Sequence, residues 1–276
     1  MDPLVVTVAA VGAELTLDDQ PNLPVTPELL AADAAACAAA GASIYHLHVR
    51  DGDARPTMAV DRFRAALDAI GDATDLVVQF TTGGAVTDPE EARIAPLELA
   101  PEMATLTTGT VNFGDEVFHN PVPLVTRLYR TMIERGVTPE YEIFDAGMIA
   151  TALRLRDDLG AEHHAHFDFV LGVPGALPAW EDALPFLASH LPDGATWSAT
   201  GIGRAHVAVA EQAIALGGHV RTGFEDVVYY SKGEKATSNA QLIERVTGMA
   251  KRAGREVATP AVAREMLGLR PRPAIP

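Results

Sequence analysis

Eight short β-rich runs alternate with longer Ala-, Leu-, Glu- and Arg-rich segments, and this alternation limits the folds open to the chain more than any other feature. The runs cover residues 4–10, 43–49, 76–81, 103–107, 141–144, 167–171, 196–199 and 219–222. Several are apolar on both faces, as strands covered by helices should be. Their starts lie roughly 25–40 residues apart, room for one βα unit each. Eight such units predict a (β/α)8 TIM barrel; a doubly wound open sheet is the main competing α/β arrangement. No composition break marks a second domain, so residues 1–276 read as one barrel domain ending in a proline-rich tail at 269–276.

Helix signals fill the gaps. Thr26-Pro27-Glu28 supplies a cap, a proline at the first helical position and an early acid, with Gly41 as the stop. Asp88-Pro89-Glu90-Glu91 reads as a capping box, with Asp88 as cap and Glu91 reaching back; Ser238 and Gln241 read as another. Gly136, Gly217 and Gly254 fall where helices should end, and Pro260 opens a short last helix ending near Gly268.

Composition removes several function classes. Nearly half the 276 residues are hydrophobic (48%), so the chain can bury a large core and is not disordered. With 37 acids against 21 Lys and Arg, the net charge of −16 opposes nucleic-acid or anionic-membrane partners. A lone cysteine, Cys37, rules out a disulfide framework or a cysteine zinc site and reads as packing on an outer helix. Without a basic, apolar leader at Met1-Asp2-Pro3 or a spanning apolar run, the expected location is cytoplasmic.

Barrel chemistry sits where strands end. The second strand ends His46-Leu47-His48-Val49-Arg50-Asp51, and its two imidazoles, two apart, face one way. Such a pair makes two-thirds of a catalytic metal site, with Arg50 or Asp51 as supporting partners. The third strand leads to Thr81-Thr82-Gly83-Gly84, where hydroxyls and backbone N–H groups admit a close ligand. The fourth carries Thr105 and Thr107. On the fifth, Glu140, Glu142 and Phe144 share a face, and a carboxylate inside a barrel must be paired, metal-bound or protonated. The seventh leads to Gly201, Gly203 and Arg204, candidates for a phosphate group. The eighth ends Arg221-Thr222-Gly223-Phe224-Glu225-Asp226: Glu225 could complete a His-His-Glu set, and Arg221 could clamp a carboxylate. Glu14 follows the first strand. The cluster His163-His164-Ala165-His166 precedes the sixth strand and is expected on the surface of the opposite, N-terminal face.

The ordered set Gly12-Ala13-Glu14, Pro21 to Pro27, Gly41 to Asp51, Thr82-Gly83-Gly84, Pro101 to Thr105, Asn112-Phe113-Gly114, Gly223 to Asp226 and Ser238 to Gln241 resembles the β-keto acid cleavage enzymes over nearly the whole chain. The resemblance implies a (β/α)8 barrel, usually tetrameric, with one zinc ion held by His46, His48 and Glu225. The implied reaction is a reversible Claisen exchange in which a β-keto acid and acetyl-CoA give acetoacetate and a shorter acyl-CoA. It further implies that Arg221 and Asp226 form a proton-abstracting dyad and that Glu142 is an acid/base beside the reacting carbon. Glu14 would then sit near the substrate and favour a cationic group, with Thr82 or Thr81 and Thr105 lining the pocket; Gly83 and Thr107, at the same strand ends, are further substrate-binding candidates. Gly201, Gly203 and Arg204 are the candidates for CoA phosphates. Threonine stands in the third-strand loop where many relatives have serine, and Met148 where many have histidine. Two other readings stand beside this one: a metal-dependent hydrolase or aldolase on the same barrel, and a non-catalytic zinc-binding ligand sensor.

Overall fold

The computed structural model describes residues 1–161 and 163–270. Eight parallel strands close into a barrel in which each pairs with the next and the last with the first. They are β1 (Val6–Ala9), β2 (Ile44–Leu47), β3 (Val77–Phe80), β4 (Met103–Thr107), β5 (Thr138–Ile143), β6 (His166–Leu171), β7 (Thr196–Gly201) and β8 (His219–Thr222). Apart from Thr196 at the start of β7, every residue in these strands is buried, which is why their sequences read as unbroken apolar runs with internal polar exceptions.

The helices between them are α1 (Pro27–Ala40), α2 (Val60–Ala73), α3 (Glu90–Ile94), α4 (Val122–Arg135), α5 (Ala146–Asp158), α6 (Ala183–Ala188), α7 (His206–Leu216), α8 (Asn239–Arg252) and α9 (Pro260–Met266). Thr26 caps α1 by accepting from the Leu29 N–H, and Gly41 ends it in the left-handed region. Ser238 caps α8 through the Gln241 N–H, while the Gln241 side chain reaches past it to Thr237.

The other expected capping box does not form. Pro89, not Asp88, is the cap of α3, because the Asp88 carboxylate turns back to accept from the Ala85 N–H at 2.8 Å. Glu91 pairs outward with Arg127 instead.

The bottom of the barrel is plugged by the chain end. Leu4 hydrogen-bonds to the backbone of Glu256 and Ala258, and Ala263, Leu267 and Leu269 pack under Val5, Ile44, Val77 and Met103. Residues 271–276 of the expected tail lie outside the described residues.

His166 departs from the surface reading of its cluster. It is fully buried on the barrel floor, with Nε2 3.2 Å from Glu140 and Nδ1 at Thr196. Its position in β6 alternates inward, opposite Glu140 of β5, so burial follows from register.

Candidate active site

The C-terminal rim gathers the polar strand ends around a cavity of about 150 Å³. His46 lies in β2, and His48 follows where the chain leaves the barrel to form a short hairpin of Val49–Arg50 with Pro56–Thr57. Both imidazoles are buried and face Glu225: His46 Nε2 lies 3.7 Å from Oε1 and His48 Nε2 3.7 Å from Oε2. The three donor atoms all lie within 4.8 Å of one another.

Burial lowers both imidazole pKa values, that of His46 to about 3, so both rings are neutral. Burial works to raise the Glu225 carboxyl, but Arg221, His48 and His46 hold it at about 2, so it is charged. Glu225 Oε2 is buried and has no hydrogen-bond partner among the described residues. Two lone pairs, one anionic carboxylate and an unsatisfied buried oxygen match a divalent cation with N,N,O ligands. Gly12 makes room for the Glu225 side chain: a Cβ there would lie 2.7 Å from Glu225 Cγ.

The loop carrying Glu225 and Asp226 is fixed by close backbone contact. Gly223 lies against β1 so tightly that a Cβ would fall 2.0 Å from the Ala9 carbonyl oxygen. Glu225 N–H donates to that oxygen, and Asp226 O accepts from Gly203 N–H.

Arg221 joins the acids. Its Nε and Nη2 donate to the two Asp226 oxygens at 3.2 and 3.0 Å, Nη1 donates to Glu142 Oε1 at 3.2 Å, and Nη2 also reaches Glu225. Thr107 donates to the other Glu142 oxygen at 2.7 Å. Burial pushes the Glu142 and Asp226 carboxyls up to about 7, against the pull of Arg221. Two carboxyls with raised pKa values beside one buried guanidinium are suited to proton transfer near neutral pH.

The remaining expected site residues differ in where the structure places them. Thr81 and Gly83 line the cavity, Gly83 N–H donating to Thr81 Oγ1, and Glu14 stands exposed at its mouth. Thr82 and Thr105 turn to each other: Thr82 Oγ1 donates to the Thr105 carbonyl, and Thr105 Oγ1 accepts from the Thr82 N–H. Gly203 and Arg204 line a second cavity of about 860 Å³, which shares Leu15, Ile202, Glu225 and Asp226 with the first. Gly201 lies apart from both and lets α7 approach, a Cβ there falling 2.7 Å from His206 Cα. Asp51 sits in the exposed hairpin turn and accepts from Asp53 and Arg55, while Arg50 holds the Gly12 carbonyl.

Over residues 3–269 the chain matches the family described as beta-keto acid cleavage enzyme. It belongs to that family. It is 46% identical to the 3-keto-5-aminohexanoate cleavage enzyme of Fusobacterium nucleatum, over 98% of this chain and 99% of that one. It is 38% identical to the 3-oxoadipate:acetyl-CoA acetyltransferase of Cupriavidus necator, over 97% and 95% of the two chains. The apo structure of ObcA superposes with a TM-score of 0.77 at 21% identity, covering 90% of this chain and 66% of that one, a likeness of fold.

In this β-keto acid cleavage enzyme, several buried polar residues around the site carry no local motif. Gln79 holds His46 Nδ1 at 2.8 Å. Arg93 of α3 donates to the Thr82 and His119 carbonyls and to Asn120, and lies over the Phe118 ring, pinning the third-strand loop. Asp168 of β6 accepts from Ser198 and Thr200 beneath Arg221. Each lies far in sequence from its partner; for Gln79 and Asp168 the available signal is a polar residue inside an apolar strand run, and for Arg93, on a helix, there is no comparable signal.

Proposed function

We propose that the chain catalyses acyl exchange between a β-keto acid and acetyl-CoA, releasing acetoacetate and an acyl-CoA two carbons shorter than the keto acid. The observation that carries this reading is the Arg221–Asp226–Glu142 set abutting His46, His48 and Glu225 in one cavity. The names of the relatives, a keto-acid cleavage enzyme and an acetyl-CoA acetyltransferase, support it. Zinc held by the two imidazoles and Glu225 would supply Lewis-acid stabilisation of negative charge on the keto oxygen.

The chain's own residues supply the rest. Asp226 takes the proton from the carbon between ketone and carboxylate, and Arg221 fixes its orientation through two hydrogen bonds. That carbon then attacks the acetyl thioester. The CoA thiolate released returns to the original keto carbon, the carbon–carbon bond breaks, and the released acetoacetate carbanion takes up a proton. Glu142, held by Thr107 and Arg221, is placed to exchange that proton. Phe113, Phe118 and Phe144 wall the cavity and keep water from the carbanion.

The second cavity suits CoA. It opens onto Asp226 and Glu225, and Arg204, Lys232 and Arg245 line it in a molecule of net charge −16. A local cationic wall is what an anionic phosphate chain needs on an acidic surface. Gly203 borders the same space, and Gly201 contributes through the packing of α7. Glu14 at the mouth favours a cationic substituent on the keto acid. A tetramer is the assembly expected for the chain; sedimentation equilibrium would then give four chains per particle.

Incubation with acetyl-CoA and a panel of β-keto acids tests the reading. Free acetoacetate should appear only with both substrates present; keto-acid cleavage without acetyl-CoA would favour a hydrolase or aldolase, and binding without turnover a sensor. Asp226→Asn should lower kcat by about 10²–10⁴-fold, the usual range for loss of a general base, with bound metal unchanged. Lys232→Glu should raise KM for acetyl-CoA and leave KM for the keto acid unaltered.

A further inference from the structure

Gln79 stands in β3 directly opposite His46 of β2 and is completely buried. Its Oε1 lies 2.8 Å from His46 Nδ1, and its Nε2 has no hydrogen-bond partner among the described residues. An uncharged amide that spends its oxygen on one ring nitrogen and leaves its NH₂ unsatisfied in the core is costly. The contact is chemically directional. An amide oxygen only accepts, so the neutral ring must carry its proton on Nδ1, leaving the Nε2 lone pair directed at Glu225. The opposite amide orientation would donate to Nδ1 and place the ring proton on Nε2, where it would block a cation.

We propose that Gln79 is a positioning residue that fixes His46 in its Nδ1–H form and so presents Nε2 to the cation shared with His48 and Glu225. This rests on the metal site proposed above. The cost of burying an unpaired amide NH₂ is thereby tied to ligand geometry. Among the described residues no side-chain hydrogen bond is seen at His48 Nδ1, so the ring held by Gln79 is the better oriented of the two. A side chain that orients a ligating histidine typically contributes about 10–100-fold in metal affinity.

The test uses apo protein as wild type, Gln79→Leu and Gln79→Glu. Zinc affinity is read by competition with a chromophoric chelator, the His46 tautomer by ¹⁵N NMR, and folding by circular dichroism. Gln79→Leu should bind zinc about 10–100-fold more weakly, while Gln79→Glu, which keeps an acceptor at the same place, should restore affinity to within a few-fold of wild type. A purely structural role would lower thermal stability in both variants without this split. Wild-type affinity in Gln79→Leu, or an Nε2–H tautomer in the wild-type apo protein, would overturn the proposal while leaving the metal site intact. A wild-type protein that binds no zinc would overturn the metal reading and this proposal with it.

Discussion

At position 12 one missing methyl group decides whether Glu225 can reach the two imidazoles. Gly12 has φ +64° and its absent Cβ would lie 2.7 Å from Glu225 Cγ. Gly12→Ala should therefore act twice: about 1 kcal/mol of backbone strain, and displacement of a ligand. A thermal melt should show the modest first effect, and chelator competition a loss of metal affinity of about 10-fold or more. Unchanged affinity would mean that Glu225 is not a ligand. The same residue scale explains the Asp226 and Glu142 carboxyls. Both are held near pH 7 because burial opposes ionisation while one guanidinium favours it, and neither force is visible without the cross-barrel neighbours.

Among elements, Asn239 at the start of α8 ties the site together. Its Oδ1 accepts from the Phe224 N–H at 2.8 Å, and its Nδ2 donates to the Ala10 carbonyl and to Asp33 of α1. Asp33 in turn accepts from the Tyr45 hydroxyl, one residue before His46. Asn239→Ala should leave the Phe224 N–H and Ala10 carbonyl unsatisfied and destabilise the fold by about 2–4 kcal/mol, measured by urea denaturation.

Asp33 adds a pH dependence. Burial raises its carboxyl from 3.8 to about 6 in the folded chain, against hydrogen bonds from Tyr45, Asn239 and Cys37. A raised folded pKa favours the protonated form, so this contribution is complete below pH 3.8 and is lost as pH rises through about 6. Relative to Asp33→Asn, the wild type should lose about 2–4 kcal/mol of stability between about pH 4 and pH 7. Parallel denaturation curves showing a constant difference would contradict it.

The strands were legible because their apolar runs and the glycine or capped-helix punctuation between them are local. The His46/His48 pair and the Glu225-Asp226 pair were legible because spacing and strand-end position are local too. Asp88 misled because a cap and a turn use the same carboxylate, and only the turn at Ala85 formed. His166 misled because the sequence placed it one residue outside β6, where alternation does not apply. Gln79, Arg93 and Asn239 were invisible as site residues, since each acts on a partner 11 to 229 positions away.

For the molecule as a whole, barrel closure does the chemical work of assembly. The pairing of β1 with both β2 and β8 brings His46 and His48 from one side and Arg221, Glu225 and Asp226 from the other to a common rim. The opposite end is closed by α9 and the segment before it, with Arg264 gripping Glu102 at 2.6 and 2.9 Å. The stable end and the reactive end are thus separated, as strand-end chemistry in such barrels requires. Among the described residues no helix is long and apolar enough to cross a membrane.

The central claim is that one cation sits between two imidazoles and a carboxylate drawn from the ends of the two strands that flank β1. Anomalous diffraction from crystals grown with zinc, recorded at the zinc edge, tests it most directly. A single peak at about 2.0–2.2 Å from His46 Nε2, His48 Nε2 and a Glu225 oxygen is predicted; density without an anomalous peak there, or a peak held by other side chains, would contradict it.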